Sequence, residues 1–574
     1  MRMKRLFLLS LLALLAFPAV ALAGGRDVQV QLLGLNDFHG HLESTTPGGI
    51  VPAPGAARVP AGGAEYLATH LREKEATNRE NTLIVSAGDL IGASPLLSAL
   101  FHDEPTIEAM NQMGLDLNAV GNHEFDEGAA ELQRMQRGGC HPVDGCLDGT
   151  GFNGAEFNFL AANVVNELGQ TIFPAYSIKK FDGIKVGFIG MTLEGTPSIV
   201  SPSGVAGLEF LDEAETANRY AAELRRQHGV RAVVVLLHEG GVQSQPGGIN
   251  DCNGISGPIV DIVDRTTDQV DLFVTGHTHS AYNCVIDGRP VTSASSFGRL
   301  LTDIDLVLDR RSKDVVQVSA NNQIVTQNVF KAMDMTQLIE RYAEIAAPLR
   351  DRVIGRISAD ITQANDASLE QAAGNLIADA QHAATASPET GAAVAAFMNP
   401  GGVRAPFTFA PSGAEAPGEV TYGEAFTVQP FGNSLVTMTL TGQQILDMLR
   451  SQWCGQTFAR VLLPSDSVHY TFDQSVATSL LPAGPGQPAV PCAGAPNPVS
   501  SLTIGGTPVD PAASYRITVN SFLADGGDNF PVLRQGTDRL GGEVDTDALE
   551  DYLAPSLNGT PIGPPALDRI DVIP

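Results

Sequence analysis

Short apolar runs, each followed by polar residues and glycine, recur between residues 28 and 277 of the 574-residue chain. Amphipathic stretches such as 64–76 and 213–229 lie between several of them. Strand-like runs that alternate with helix-like stretches predict an α/β fold, in which helices cover the faces of sheets. The runs lie at 28–35, 82–88, 117–121, 159–165, 185–191, 232–238 and 271–277.

The pattern changes twice beyond residue 279. Strand-like runs at 291–296 and 300–309 follow one another closely, which predicts mixed sheets, and residues 333–355 then carry apolar positions at helical spacing. A hydrophobic fraction of 43% permits packed cores, but 574 residues exceed one ordinary core. We therefore expect a first domain at 24–330, a connector helix at 331–355 and a second, α+β domain at 356–574.

The N-terminal segment 1–23 has the pattern of a secretory signal peptide. Three basic residues precede an apolar run that ends in Ala21-Leu22-Ala23. The alternative is an uncleaved membrane anchor, but the cleavage site is well formed. Cleavage would remove three basic residues and no acidic one, so that the formal net charge changes from −29 to −32.

Such an acidic surface repels nucleic-acid polymers and anionic membranes. No second long apolar segment follows in the sequence, and the C-terminal residues DRIDVIP carry no anchor pattern. We expect an exported protein, periplasmic or extracellular, without a stable membrane anchor. The sequence leaves its oligomeric state open.

The six cysteines favour disulfides because the chain is expected to be exported. Pairing in sequence order gives Cys140–Cys146, Cys252–Cys284 and Cys454–Cys492, one of fifteen possible arrangements. A cysteine metal site is the alternative, but the sequence lacks the C-x-x-C spacing that would support it.

Five of the apolar runs end in side chains that bind metals. Carboxyl ends of strands form the sites of α/β folds, and residues i and i+2 of an extended segment point to the same side. Any one histidine alone could be an ordinary core residue, but five strand ends that agree argue for a shared site. The seven candidate ligands are Asp37, His39, Asp89, Asn122, His238, His277 and His279. They include no thiolate and exceed one tetrahedral site, which favours two divalent ions.

The ordered motifs NDFHGHL (36–42), SAGD (86–89), GNHEFD (121–126), HEGG (238–241) and GHTH (276–279) resemble those of the calcineurin-like metallophosphoesterases. In these longer forms they are similar to the secreted 5′-nucleotidase and UDP-sugar hydrolase family. The resemblance covers roughly residues 28–574. It implies a four-layer metallophosphoesterase domain with mixed sheets, followed by a substrate-binding domain.

The resemblance also implies roles for individual residues. Asp37, His39 and His279 would hold one ion, Asn122, His238 and His277 would hold the other, and Asp89 would bridge them. Zinc, manganese and cobalt all suit these ligands. His123 would act on the developing charge or the leaving oxygen, with Asp126 orienting its ring. Glu124 is expected outside the ligand set, and His41 has no assigned role.

The motifs MNPGGVR (398–404), QPFGNSL (429–435) and NSFLADGGDNF (520–530) extend the resemblance into the second domain. They imply a nucleobase sandwiched by Phe431 and Phe522, bonds from Asn433 and Asp528 to base or ribose, and a phosphate contact by Arg404 with Asn399. Two departures reduce the match. Pro400 stands where relatives carry glycine, and residues 366–380 lack the arginines that relatives place there.

The expected function is hydrolysis of nucleoside 5′-monophosphates to nucleoside and phosphate by a metal-activated water. The alternatives on the same architecture are a 2′,3′-cyclic-nucleotide phosphodiesterase with 3′-nucleotidase activity, a UDP-sugar hydrolase and, more remotely, a sulfur-ester hydrolase. From a different class, the chain could be a secreted nucleotide-binding protein without catalysis. That hypothesis needs a missing ligand, and all seven are present.

Overall fold

The computed structural model describes residues 27–44, 49–200, 204–482 and 489–574. The predicted signal peptide at 1–23 lies outside the described residues. Two α/β regions are connected by a long helix, Met333–Arg350, within the stretch that the sequence predicts to be helical.

The first region contains two six-stranded mixed sheets. In the first sheet, Thr82–Ser86 runs parallel to Val28–Leu35, whereas Leu300–Leu308 pairs with Val28–Leu35 in the antiparallel sense. Its strands lie in the order Val315–Ile324, Leu300–Leu308, Val28–Leu35, Thr82–Ser86, Leu117–Ala119 and Asn158–Leu160.

The second sheet has parallel strands at its centre and antiparallel strands at both edges. Ala232–His238 lies parallel to Leu272–Thr275 and to Ile184–Thr192. The strand order is Ala281–Ile286, Arg289–Ala294, Leu272–Thr275, Ala232–His238, Ile184–Thr192 and Tyr176–Phe181.

The two sheets pack face to face, and helices cover both outer faces. Leu32 and Val85 of the first sheet share a buried cluster with Phe188 and Val234 of the second. Such strands are buried on both faces, which is why their sequences are continuous apolar runs. The helices Ala64–Glu75, Glu104–Met113, Ala129–Arg137 and Met333–Arg350 cover the first sheet, and Glu213–Glu223 and Pro258–Arg265 cover the second. This helix–sheet–sheet–helix arrangement confirms the predicted four layers.

The apolar run at 159–165 differs from the expectation of a single strand. Asn158–Leu160 pairs with the first sheet, whereas Val164–Asn166 pairs with Leu208–Phe210 in a separate ladder. Between them, the backbone N–H of Ala162 donates to the carbonyl of Gly190 at 2.7 Å. Composition cannot reveal this break, because both halves of the run are buried.

The second region has two further sheets. One has the order Leu463–Pro464, Ala395–Met398, Ser514–Asn520, Ser434–Thr441 and Thr537–Val544; the other has the order Thr507–Pro508, Val499–Ile504, Val468–Asp473 and Ile570–Ile573. The main helices are Ala372–Thr385, Tyr422–Val428, Gly442–Arg450, Gln474–Ser479 and Asp545–Leu553. The single tryptophan, Trp453, is buried between these elements.

All six cysteines are paired, and the pairs are those predicted: Cys140–Cys146, Cys252–Cys284 and Cys454–Cys492. In the part of the chain that the structure describes, we find no helix with the length and apolar composition of a membrane span.

Candidate active site

The predicted ligands meet where strands of both sheets end. The strands Val28–Leu35, Thr82–Ser86 and Leu117–Ala119 deliver residues from the first sheet, and Ala232–His238 and Leu272–Thr275 deliver them from the second. Six of the seven side chains form two groups in which one ligand atom from each residue lies within 4.8 Å of the others: Asp37, His39 and His279 in one, and Asp89, His238 and His277 in the other. We call these six residues and Asn122 the metal cluster.

The first group contains two imidazole nitrogens and a carboxylate oxygen at short range. Nε2 of His279 lies 3.1 Å from Nε2 of His39 and 3.3 Å from Oδ1 of Asp37. Two ligands on one tetrahedral ion with bonds of about 2.1 Å are themselves about 3.4 Å apart. The three atoms therefore have the separation that a shared ion requires.

The second group is arranged around Asp89. Oδ2 of Asp89 lies 3.0 Å from Nε2 of His238 and 3.6 Å from Nε2 of His39, so this oxygen lies between the two groups. The side-chain oxygen of Asn122 lies 3.1 Å from Nε2 of His238 and 3.0 Å from Nδ1 of His277. A carboxylate that bridges two ions needs a central position of this kind.

Backbone carbonyls orient two of the imidazoles. Nδ1 of His39 donates to the carbonyl of Gly92, and Nδ1 of His238 donates to the carbonyl of Ala87, each at 2.8 Å. Because a carbonyl only accepts, each Nδ1 carries the proton, and each Nε2 points its lone pair into the cluster. Metal-binding histidines are held in this way, so the residues present fit divalent ions.

The carboxylates of the cluster also control its charge. Burial favours neutral His238, but the carboxylate of Asp89 outweighs it and raises the pKa of His238 to about 10. Burial lowers the pKa of His277 to about 3. The cluster thus takes up a positive charge next to Asp89, as expected for a site built to hold cations.

The backbone at the strand ends is left-handed, which corrects the expected extended geometry. The φ angles are 50° at Asp37, 47° at His39, 69° at His277 and 53° at His279. Each pair still faces one site, but through tight turns rather than strand alternation. Left-handed conformations cost non-glycine residues energy and concentrate at functional sites.

Glycine is required where the loops approach most closely. A Cβ on Gly121 would collide with the Asp89 carboxylate, and one on Gly92 would collide with the His123 carbonyl. Any larger residue at Gly121 would displace Asp89 from its central position.

His123 and Asp126 lie together beside the cluster, at the two ends of a short turn that contains the 3-10 helix His123–Phe125. Nδ1 of His123 donates to Oδ2 of Asp126 at 2.8 Å. Burial favours neutral His123, but the carboxylates of Asp126 and Asp89 raise its pKa above the usual value. The pair therefore has the oriented, proton-holding geometry of an acid–base histidine.

Glu124 is buried but does not join the ligands. Its carboxylate accepts backbone N–H bonds from Asp89, Leu90 and Gly121 at 3.0, 3.0 and 2.7 Å. Glu124 thereby ties two strand-end loops together.

The second domain contacts this site through Arg404 and Phe431. The Phe431 ring stacks 5.8 Å from the ring of His123, and the Arg404 guanidinium lies 5.8 Å from the Phe431 ring centre. Burial lowers the pKa of Arg404, and the carboxylates of Asp89 and Asp126 oppose that shift. A fixed positive charge and an aromatic face thus border the metal cluster.

The remaining predicted substrate residues lie on adjoining loops. The Ser521 hydroxyl donates to the Asn433 side chain at 3.1 Å, which joins the loops that carry Phe431 and Phe522. Nδ2 of Asn399 donates to Asp528 at 2.8 Å, so Asn399 contacts Asp528 rather than Arg404.

Sequence patterns did not indicate Arg460, which forms an ion pair with Asp528. Because Asn399 and Arg460 both bind the Asp528 carboxylate, its position is fixed from within the second domain.

Phe297 is a second residue that sequence patterns missed, and it explains His41. Its ring packs edge-to-face on His39 and His279, at 5.9 and 5.3 Å, and it also stacks on His41 at 3.9 Å. Nδ1 of His41 donates to the His39 carbonyl at 2.9 Å, and burial lowers the pKa of His41 to about 3. His41 is thus a neutral packing residue that supports the ligand loop.

Comparison with known proteins agrees with this architecture. Residues 30–281 match the family model of the calcineurin-like phosphoesterases, and residues 353–535 match that of the 5′-nucleotidase C-terminal domain. The chain is 31% identical to the cell wall protein Lmo0130 of Listeria monocytogenes, over 93% of this chain and 68% of that protein. It is also 31% identical to the endonuclease YhcR of Bacillus subtilis, over 92% of this chain but only 40% of YhcR.

The fold is similar to the crystal structure of a 5′-nucleotidase precursor from Thermus thermophilus. The TM-score is 0.72 with 26% identity, and the match covers 95% of this chain and 99% of the other. The chain therefore belongs to the 5′-nucleotidase family of metal-dependent phosphoric ester hydrolases, which join a calcineurin-like phosphoesterase domain to a 5′-nucleotidase C-terminal domain.

Proposed function

We propose that this chain is an exported two-metal phosphoesterase that hydrolyses nucleoside 5′-monophosphates to nucleoside and phosphate. One observation carries the proposal: Arg404 and Phe431 of the second domain lie against the metal cluster of the first. A phosphate placed there would meet cations on one side and a guanidinium on the other. The nucleoside would extend along the aromatic face.

The metal cluster would hold two divalent ions, of which zinc, manganese and cobalt suit the donor set. When bound, such ions activate water and neutralise phosphate charge. Asp37, His39 and His279 are the proposed ligands of one ion, and Asn122, His238 and His277 those of the other. Asp89 is the proposed bridge, supported by its contacts to both groups.

His123 is the proposed proton donor to the leaving ribose oxygen. Asp126 holds Nδ1 of His123, which leaves Nε2 to transfer a proton. Arg404 would bind non-bridging phosphate oxygens with its planar guanidinium. These two groups act on opposite parts of the ester, the leaving oxygen and the transferred phosphoryl group.

Phe431 and Phe522 are the proposed nucleobase clamp. Their loops are joined through Asn433 and Ser521, so the two rings are carried by one connected unit. Asn433 and Asp528 are the proposed hydrogen-bonding partners of base or ribose. Asp528 is held by Asn399 and Arg460, which would keep its carboxylate in a constant position.

Hydrolysis of a phosphodiester is the second candidate. It is favoured by the similarity to the endonuclease YhcR over 92% of this chain. The strongly acidic composition, with 64 Asp and Glu against 35 Lys and Arg, opposes long polyanionic substrates. Among diesters, we therefore favour small ones.

The test is a substrate panel on chelator-treated protein reloaded with zinc, manganese or cobalt. AMP, 2′,3′-cyclic AMP, UDP-glucose and bis-p-nitrophenyl phosphate distinguish monoester, cyclic diester, pyrophosphate and diester hydrolysis. We expect metal-dependent phosphate release to be fastest from AMP. Release of neither phosphate nor nitrophenol from any substrate would instead support a nucleotide-binding protein without catalysis. N-terminal sequencing of protein recovered outside the cytoplasm would test export.

A further inference from the structure

A second group of metal-binding side chains lies in the first domain, outside the metal cluster. It contains His102, Glu127, Glu131 and His141, and one ligand atom from each lies within 4.8 Å of the others. We call these four residues the His102 cluster. We propose that it binds one zinc-type divalent ion, separate from the ions of the metal cluster. This proposal does not depend on the proposed function.

The distances suit a shared ion. Nδ1 of His102 lies 2.7 Å from a carboxylate oxygen of Glu127, and the rings of His102 and His141 stack at 3.8 Å with an interplanar angle of 18°. Ligands of a tetrahedral zinc ion are about 3.4 Å apart. An ion therefore needs only a small separation of these side chains.

A further carboxylate closes the group. An oxygen of Asp144 lies 3.0 Å from Nε2 of His102 and 3.1 Å from Nδ1 of His141. Carboxylates on the outer nitrogen of a metal-binding histidine orient the ring and increase its basicity. Asp144 occupies that place for His102, whose other nitrogen faces Glu127.

The chemistry of the cluster favours zinc over calcium or magnesium. Two imidazoles with carboxylates suit borderline cations, whereas calcium and magnesium take oxygen ligands. Glu127, Glu131 and Asp144 bring three negative charges, and Arg134 supplies one positive charge through its bond to Glu131 at 2.9 Å. The excess negative charge would be reduced by a divalent cation.

The scaffold holds the ligands in place without the ion. The Cys140–Cys146 disulfide closes the short loop that carries His141 and Asp144. Arg134 fixes Glu131 from its own helix, Ala129–Arg137. Three segments thus converge on one point, and their prior order lowers the entropy cost of binding.

The position of the cluster suggests what the ion stabilises. Glu127 follows Asp126 directly, and a cavity of about 100 Å³ is lined by His102 and Glu127 as well as by His123 and Phe431. An ion bound at Glu127 would hold the turn that carries His123. The His102 cluster would therefore act as a brace for this turn.

Zinc binding by three purified proteins tests the proposal. The proteins are the wild type, the double variant His102→Asn/His141→Asn, and His469→Asn, which changes an exposed histidine of the second domain. After chelator treatment and dialysis against zinc, elemental analysis gives the zinc content per chain. We expect the double variant to bind one zinc fewer than the other two. Equal zinc content in all three would show that ion pairs alone satisfy the cluster and would overturn the proposal.

Asp89→Asn separates this result from the proposed function. If the metal cluster holds no ions, Asp89→Asn changes no zinc content, but the double variant still loses one zinc. If the double variant does not fold, anomalous diffraction at the zinc edge from wild-type crystals replaces it. We expect a peak between His102 and His141, and its absence would contradict the proposal.

Discussion

The metal cluster and the His102 cluster use the same residue types in different surroundings. In the metal cluster, His39 and His238 are fully buried and donate to neutral backbone carbonyls. In the His102 cluster, the imidazoles are partly exposed and contact charged carboxylates. Neutral partners leave the inner nitrogens free for ligands, whereas charged partners already satisfy the imidazoles. Burial and partner type, rather than residue type, therefore separate a candidate catalytic site from a structural one.

The largest expected effect comes from removing the central carboxylate of the metal cluster. Asp89→Asn should lower kcat on AMP by on the order of 10³-fold or more, because both groups lose their shared anionic oxygen. The matched change in the His102 cluster, Asp144→Asn, should alter kcat less than about threefold, because Asp144 only orients imidazoles of that cluster. Steady-state kinetics measures both, and similar losses in the two variants would remove the distinction between the clusters.

His123→Ala should lower kcat by roughly 10²- to 10⁴-fold while metal content stays at the wild-type level, because His123 is proposed to move a proton rather than to bind metal. The control is His228→Ala, which changes a histidine that contacts Tyr176 at the edge of the second sheet. Elemental analysis alongside kinetics separates the two roles. Loss of metal in His123→Ala would make His123 part of the cluster, and full activity would exclude it from the chemistry.

Arg404→Met keeps much of the length of the side chain but removes its charge. We expect kcat/KM on AMP to fall by about 10- to 100-fold, the size of lost charge-assisted hydrogen bonds to phosphate. Arg311→Met, on an exposed turn of the first domain, should leave it unchanged. A fall of similar size for adenosine binding as for AMP binding would show that Arg404 does not act on the phosphate.

Phe297→Leu tests the packing behind His39 and His279. Losing the edge-to-face contacts should lower kcat by about two- to tenfold, because aromatic pairs are worth about 0.5–1.5 kcal/mol. A positioning role also predicts weaker zinc binding in this variant, measured by competition with a chromogenic chelator. Phe458→Leu, an exposed phenylalanine of the second domain, is the control for zinc affinity. Unchanged zinc affinity in Phe297→Leu would show that the stack does not hold the ligands.

The smallest effect concerns stability rather than catalysis. Burial raises the pKa of Asp271 to about 7, while an unfolded chain has a value of about 3.9. Between these values the unfolded chain releases a proton that the native protein keeps. The stability from neutral Asp271 is therefore fully present below about pH 4 and is lost as pH rises through about 7.

Asp271→Asn removes this titration. The difference in Tm between variant and wild type should grow from about pH 4 to about pH 7.5, in favour of the variant, by about 2 °C or more. Asp268→Asn, an exposed neighbour, should show no such trend. A pH-independent difference in thermal melts for Asp271→Asn would contradict the buried titration.

Sequence patterns predicted most of the first domain because its strands are buried on both faces. The runs at 28–35 and 232–238 coincide with the observed strands Val28–Leu35 and Ala232–His238. The same patterns failed at 159–165, where two strands from different ladders share one apolar composition. They also failed for Phe297 and Arg460, since the partners of these residues come from distant segments.

Local composition and residue order were enough to specify the layered α/β fold, the disulfide pairs and which strand ends carry Asp, Asn and His. Three features emerge only in the folded chain: the left-handed turns at Asp37 and His279, the orientation of imidazoles by carbonyls, and the convergence of the His102 cluster. Each of these depends on contacts between segments far apart in the chain. Their cost in backbone strain and side-chain order is offset by packing that no local pattern records.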